Sequence, residues 1–105
     1  MTTQVPTKIT EADFQDTIVE YAMLKGWRIA HFRPARAQQG WRTAVSYQGA
    51  GYPDLTLART GFVLFLEVKS EQGKLRPEQK EWLAELPNAH TVRPSDWAHI
   101  EELLA

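Results

Sequence analysis

The chain of 105 residues has no cysteine, so it has neither a disulfide framework nor a metal site built on thiolates. It also lacks an apolar run long enough to span a membrane, and its first residues do not form a signal-peptide pattern. These absences predict a soluble intracellular protein that does not act at a membrane. The length predicts a single domain over residues 1–105, with residues 1–9 flexible.

An excess of positive charge is missing as well. The chain carries 12 Lys and Arg against 13 Asp and Glu, which gives a net charge of −1 at pH 7. A strongly basic domain would have indicated nucleic-acid binding directly. This balance gives no such sign, yet it is compatible with a local basic patch, because carboxylates that bind a metal are neutralised when the cation arrives.

Hydrophobic periodicity predicts seven elements in the order α-β-β-β-α-β-α, which is typical of an α/β fold with a mixed β-sheet flanked by helices. Thr10 is predicted to cap the first helix, and Gly26 to end it. The long segment 33–52 shows no clear periodicity and is predicted as a loop. The predicted elements are a helix from 11 to about 25, strands over 27–32, 54–59 and 62–69, a helix that begins at 77, a strand over 90–93 and a helix from 96 to about 104.

The two central strands carry the clearest chemistry. The apolar run 62–66 predicts a buried strand, and a turn at 60–61 pairs it with the strand before it. In this register Asp54 lies directly opposite Glu67, with Cβ atoms ~5 Å apart, and Lys69 shares the face of Glu67. Two carboxylates at that spacing repel each other unless a cation lies between them, and a hard cation such as Mg²⁺ takes oxygen ligands of this kind.

Three segments carry a resemblance to a known family: GYPDL (51–55), FLEVK (65–69) and KLRPEQKEWL (74–83). The first two resemble the PD-(D/E)xK nuclease motif, and all three together resemble the stand-alone form of the VRR-Nuc family, the virus-type replication–repair nucleases. The resemblance extends from about Glu11 to the C-terminus. It implies a restriction-endonuclease-like core and the activity of a metal-dependent DNA endonuclease of repair or recombination. The implied location is the cytoplasm of a bacterium or of a phage-infected cell.

The expected reaction is hydrolysis of a phosphodiester bond, in which a divalent cation stabilises the charge of the transition state. Asp54 and Glu67 are the predicted ligands of Mg²⁺ or Mn²⁺, and the resemblance adds the backbone carbonyl of Val68. Lys69 is expected to orient the attacking water and to offset charge at the phosphate. Whether one metal or two bind stays open, and so does the alternative of a surface Glu–Lys pair without catalytic role.

Two further residues are candidates on weaker grounds. Gln79 lies three and four residues before Trp82 and Leu83, so it is predicted to point inward with them, and the resemblance gives it a role at the active site. The alternative is that Gln79 is only a polar residue at the rim of the surface through which this helix packs. Glu11 lies beside the apolar stripe of the first helix and is a possible metal ligand, or simply a favourable acid of the first turn.

Cations and aromatic residues before the hairpin suit a nucleic-acid contact, because guanidinium groups bind phosphates and aromatic rings stack on unpaired bases. The alternative for the segment 33–52 is a solvated loop with its tryptophan packed on the core. The predicted DNA-binding residues are Arg33, Arg36, Trp41, Arg42, Lys74, Arg76 and Lys80.

The resemblance implies branched DNA as the partner, with resolution of Holliday (four-way) junctions by a homodimer, since two sites across a two-fold axis fit symmetric cleavage. One alternative is an endonuclease on flaps or nicks without junction selectivity. Another is a non-catalytic DNA-binding module, although Asp54, Glu67 and Lys69 are all present. A hydrolase of small phosphate compounds is disfavoured, because the chain has no phosphate-cradling glycine loop between a strand and a helix.

Overall fold

The computed structural model describes residues 5–32, 35–37, 40–42 and 47–105, and its larger sheet has four strands flanked by helices. The strand order is β1-β4-β5-β6, antiparallel except for the parallel pair of β5 and β6. This architecture confirms the predicted mixed α/β fold. The elements are α1 (Glu11–Leu24), β1 (Arg28–His31), β2 (Ala35–Ala37), β3 (Gly40–Arg42), β4 (Leu55–Arg59), β5 (Phe62–Val68), α2 (Pro77–Glu85), β6 (Ala89–Val92), a 3₁₀ turn (Pro94–Asp96) and α3 (Trp97–Leu104).

A two-residue turn sets the register of the central hairpin. Thr60 and Gly61 both have positive φ, at 52° and 82°, which is the conformation of the tight turns that match strand twist. Arg59 therefore pairs with Phe62, as predicted, and the pairing continues along the hairpin. One step beyond the last pair of β4, this register brings position 54 opposite position 67.

One face of the sheet forms the hydrophobic core under α1 and α3. Trp27 ties the sheet to the end of α3, because its indole N–H donates to the carbonyl of Leu104 at 3.0 Å. Between the two helices, the rings of Tyr21 and Trp97 meet edge to face at 5.4 Å. The buried residues of this core that lie in the helices and the sheet are Phe14, Ile18, Ala22, Leu55, Leu57, Leu64, Leu66, Val68, Val92, Trp97, Ile100 and Leu104.

The opposite face of the sheet carries α2 and an aromatic group centred on Tyr52. The Tyr52 ring lies 6.1 Å from Phe65 of β5 and 5.1 Å from Trp82 of α2, in both cases edge to face. Side chains alternate along a strand, so Glu67 points to the same face as Phe65. The second face is therefore the one on which the predicted site is built.

The first helix has the predicted cap. The hydroxyl of Thr10 accepts a hydrogen bond from the backbone N–H of Asp13 at 3.1 Å, and α1 begins at the next residue. Of the segment 1–9, residues 5–9 are described: Val5 is buried and Ile9 packs against the core, so this part contacts the folded chain. Among the described residues, none of the helices is long and apolar enough to cross a bilayer.

The segment 33–52 differs from the predicted loop, because it contains a small separate sheet. Strands β2 and β3 pair antiparallel, with Ala35 opposite Arg42 and Arg36 opposite Trp41. Strands this short carry too few residues to show a period of two, which is why hydrophobic periodicity did not predict them. Element boundaries elsewhere differ from the predicted ones by one or two residues.

Candidate active site

Asp54 is held at the open end of the hairpin by a backbone contact. Its carboxylate Oδ2 accepts a hydrogen bond from the backbone N–H of Val68 at 2.8 Å, so the side chain continues the pairing of β4 with β5 where the strand itself has ended. In an extended strand the N–H and C=O of one residue point the same way. The Val68 carbonyl is therefore directed to the side on which the Asp54 carboxylate lies.

Glu67 is the most deeply buried charged residue of the site, with 2% of its surface exposed. Its Oε2 accepts a hydrogen bond from the Gln79 amide at 3.0 Å, whereas its buried Oε1 has no partner among the described residues. Burial, followed by the neighbouring charge of Asp54, raises the pKa of Glu67 to about 8. The two carboxylates are thus close enough that one of them retains a proton when no cation is present.

Lys69 shares the face of Glu67, as predicted. Its Nζ lies 4.0 Å from Glu67 Oε2 and its side chain is 12% exposed. The turn that follows is tied down by a residue that the sequence had not singled out: the Arg93 guanidinium donates to the carbonyls of Ser70 and Gly73 at 2.8 and 2.5 Å. A Cβ placed on Gly73 would lie 3.4 Å from the Cδ atom of Lys69. The turn therefore passes close beside the lysine side chain and limits its motion.

Gln79 points inward, and its amide is oriented at both ends. The carbonyl Oε1 accepts from the backbone N–H of Arg76 at 2.8 Å, the reciprocal contact that a residue at the third helical position makes at a helix start. That contact leaves the amide nitrogen facing Glu67. Asparagine is one methylene shorter, and glutamate offers no donor, so glutamine fits both partners.

A close backbone approach joins the segment before Asp54 to α2. Gly51 has φ of +87°, and a Cβ placed on it would lie 2.6 Å from the backbone carbon of Glu78. Glu78 directly precedes Gln79. The residue type at position 51 therefore limits how near the loop that carries Asp54 can come to the helix that carries Gln79.

The structure does not bring Glu11 into the same group. Glu11 is exposed at the start of α1, and its charge is the weakest of the causes that raise the pKa of Glu67. No cluster of three or more His, Cys, Asp or Glu side chains suited to a metal occurs within residues 5–32, 35–37, 40–42 and 47–105. The metal-binding roles of Asp54 and Glu67, like that of Glu11, stay predictions.

The predicted DNA-binding residues fall into two sets. Lys74, Arg76 and Lys80 are exposed around the start of α2, where the Arg76 Nε lies 3.5 Å from Glu78 Oε1. The remaining predictions concern side chains that the structure does not describe: Arg33 lies outside the described residues, and of Arg36, Trp41 and Arg42 only the backbone strands are described.

His31 has a structural role in this arrangement. Its half-buried ring lies 2.9 Å from the amide nitrogen of Gln15, so the contact joins β1 to α1 on the core side of the sheet.

The donor set of Asp54 and Glu67 fits a divalent cation. Its oxygens are a buried Glu67 Oε1 that meets no hydrogen-bond partner within residues 5–32, 35–37, 40–42 and 47–105, a second carboxylate beside it and a backbone carbonyl on the same side. Mg²⁺ and Mn²⁺ take oxygen ligands of this kind. The model of one protein family, the VRR-NUC domain, matches residues 11–94. The chain belongs to the VRR-NUC family. This membership makes it a nuclease of the PD-(D/E)xK type, a class that generally uses divalent metals and for which DNA is the implied substrate.

The VRR-NUC match covers every element from α1 to β6, including both acid-bearing strands and the glutamine helix. No curated protein and no solved structure matches the chain.

The contact of Gly51 with α2 generates a prediction about stability. An alanine at φ above +80° costs about 1–2 kcal/mol at either Gly51 or Gly61, but only at Gly51 does its methyl group meet backbone atoms. Gly51→Ala is therefore expected to lower the free energy of unfolding by at least about 1 kcal/mol more than Gly61→Ala. Urea unfolding of the two variants measures this difference, and equal losses would contradict the close approach.

A second prediction concerns the stability of the metal-free VRR-NUC domain. Burial and the neighbouring acid raise the pKa of Glu67 from its ordinary value of 4.5 to about 8, so the folded state binds more protons than the unfolded state between these limits. The contribution of this raised pKa to the free energy of unfolding is complete below pH 4.5 and is lost as pH rises to about 8. Relative to Glu67→Gln, the wild-type free energy of unfolding in EDTA should fall across this range, by at most about 1.4 kcal/mol per pH unit. A constant difference would show that Glu67 ionises normally.

Proposed function

We propose that this VRR-NUC domain is a divalent-metal-dependent DNA endonuclease that hydrolyses phosphodiester bonds in branched DNA. The observation that carries the proposal is the buried Oε1 of Glu67, which lies beside the carboxylate of Asp54 and has no hydrogen-bond partner in the part of the chain that the structure describes. A buried acid that cannot share a cation is costly, and replacing it with an apolar residue would stabilise the fold. Its presence in a nuclease core supports a metal-binding function.

In this proposal Asp54 and Glu67 hold Mg²⁺ or Mn²⁺, and the Val68 carbonyl completes the protein ligands. The bound cation would supply charge stabilisation at the phosphate and lower the pKa of a bound water. In this proposal Glu11 contributes through a metal-bound water, and the exposed position of its side chain at the start of α1 supports this indirect role.

The chain's own residues supply the rest of the proposed mechanism. Lys69, confined by the turn at 70–73, orients the attacking water and offsets negative charge on the phosphate oxygens. Gln79 keeps Glu67 Oε2 occupied by a hydrogen bond, so Oε1 is the oxygen left for the cation. Both roles are positional, and each depends on a side chain whose conformation is fixed from two sides.

The charge distribution supports one direction of approach for DNA. Beyond α2, a groove contains three glutamates, Glu78, Glu81 and Glu85, beside Trp82. These carboxylates would repel a phosphate backbone. The exposed cations Lys74, Arg76 and Lys80 lie around the start of the same helix, so DNA would bind there and to the segment that carries Arg33, Arg36, Trp41 and Arg42.

For the substrate we propose four-way junctions cut by a homodimer. A single site of this size cuts one strand, and two sites related by a two-fold axis would cut a junction symmetrically. Flap or nicked DNA is the competing substrate within the same chemistry.

The test compares labelled four-way junction, flap and linear duplex DNA in Mg²⁺ or Mn²⁺, with EDTA as the metal-free control. Lys69→Ala is expected to lower the cleavage rate about 10²- to 10³-fold, the loss typical of one group that stabilises transition-state charge. Lys25→Ala, at the far end of α1, removes a lysine distant from the site and should leave the rate unchanged.

Paired symmetric nicks that require metal and Lys69 would establish the junction nuclease. Cleavage of flaps or duplex alone would retain the endonuclease and contradict junction selectivity. DNA binding without any cleavage would contradict the proposed activity and leave a binding module.

A further inference from the structure

An aromatic side chain continues the row of acids across the sheet. The register of β1 with β4 places Phe32 opposite Asp54, and the Phe32 N–H reaches the Asp54 carbonyl at 3.4 Å. Asp54 is in turn opposite Glu67 in the register of β4 with β5. The three side chains therefore occupy one row on one face of the sheet, in which the Cβ of Phe32 is ~5 Å from that of Asp54 and Glu67 lies one strand further on.

Phe32 is held in place on one side and open on the other. Its ring meets the ring of Tyr52 at 5.8 Å, nearly perpendicular, and Tyr52 itself is packed between Phe65 and Trp82. Even so, 56% of the Phe32 surface is exposed. Ring contact with a half-buried group limits the motion of Phe32, so the exposed aromatic surface has a defined position beside Asp54.

The location of this surface indicates what would cover it. In the proposed function a cation holds the scissile phosphate at the two carboxylates. That phosphate has a nucleotide on either side, and the base of one of them would lie within reach of Phe32, the next residue in the row. Aromatic rings bind bases through their flat faces, with little dependence on base identity. A base inside a duplex already has neighbours on both faces, so it cannot stack on a protein side chain unless it leaves the helix.

We propose that Phe32 is a stacking platform for an unpaired base next to the scissile phosphate, and that this contact gives the enzyme its preference for branched or distorted DNA. The proposal rests on the proposed nuclease function for the position of the phosphate. It assigns substrate selection to β1, an edge strand that carries none of the metal ligands.

Phe62 offers a matched control on the same sheet. It is 47% exposed and also meets an aromatic ring, that of Trp27 at 6.3 Å, but it lies beside the turn at the opposite end of the hairpin. A general effect of removing an exposed phenyl ring would occur at both positions. A specific contact with a base would depend on Phe32 alone.

The experiment is a double-mutant cycle between the protein and the DNA. The probes are fluorescein-labelled hairpins with two unpaired arms, and a series in which one unpaired nucleotide at a time is replaced by an abasic one. Binding is measured by fluorescence anisotropy in Ca²⁺, a divalent cation that takes carboxylate ligands, and gels verify that the probes stay uncut, so that binding is read apart from cleavage. The proteins are wild type, Phe32→Leu, Phe32→Tyr and Phe62→Leu, with thermal unfolding to verify the fold of each.

At one nucleotide of the arm, base removal should weaken binding by wild type and by Phe32→Tyr about 5- to 150-fold, the equivalent of about 1–3 kcal/mol of stacking. Phe32→Leu should lose this dependence, because leucine keeps the apolar surface without the flat ring, and Phe62→Leu should retain it. Equal base dependence in wild type and Phe32→Leu at every position would overturn the proposal, as would absence of binding to the arms. Cleavage in Mg²⁺ is scored separately, so failure of the nuclease activity is distinguishable from failure of the stacking contact.

Discussion

The burial of the Glu67 carboxylate beside a second acid, the half-buried Asp54, is the constraint on which the rest of this structure depends. Glu67 lies inside a strand that is buried on both faces, and its neighbour across the hairpin is another acid. Transfer of an unpaired carboxylate out of water is costly, and one hydrogen bond from Gln79 offsets only part of that cost. Burial and the neighbouring acid both raise the pKa of Glu67, so its protonated form is favoured when no cation is present. In the proposed function a bound cation would allow both acids to be ionised. The pair of acids at the end of the hairpin therefore favours the binding of a positive charge.

Three backbone features hold the side chains of this site in place, and two of them join segments that are distant along the chain. The N–H of Val68 fixes Asp54, the N–H of Arg76 fixes the Gln79 amide, and the missing side chain of Gly51 lets the Asp54 loop approach α2. Backbone groups have fewer degrees of freedom than side chains, so geometry set by them is retained when no ligand is bound. Arg93 acts similarly on the turn after Lys69, through two carbonyls.

The sequence predicted those features that follow from local rules. A tight turn at 60–61 sets the register, and the register alone places Asp54 opposite Glu67; helical spacing alone turns Gln79 inward. The contacts that escaped prediction, those of Gly51 with Glu78 and of Arg93 with the turn at 70–73, leave no periodic pattern and connect residues 20 or more positions apart. The three-residue strands β2 and β3 are too short for a pattern of their own. The position of Phe32 in the row with the acids follows from the register of β1, which no turn signal specified.

The central claim is that Asp54 and Glu67 together hold one site for a divalent cation. Isothermal titration of Mn²⁺ into the protein at pH 7, in two buffers of different ionisation enthalpy, tests it most directly. The account predicts binding that releases a proton, because a carboxyl with a pKa of about 8 must ionise to become a ligand, and loss of that binding in Asp54→Asn and in Glu67→Gln. Binding that is unchanged in either variant would contradict it, whereas binding that depends on both acids but releases no proton would contradict only the raised pKa of Glu67.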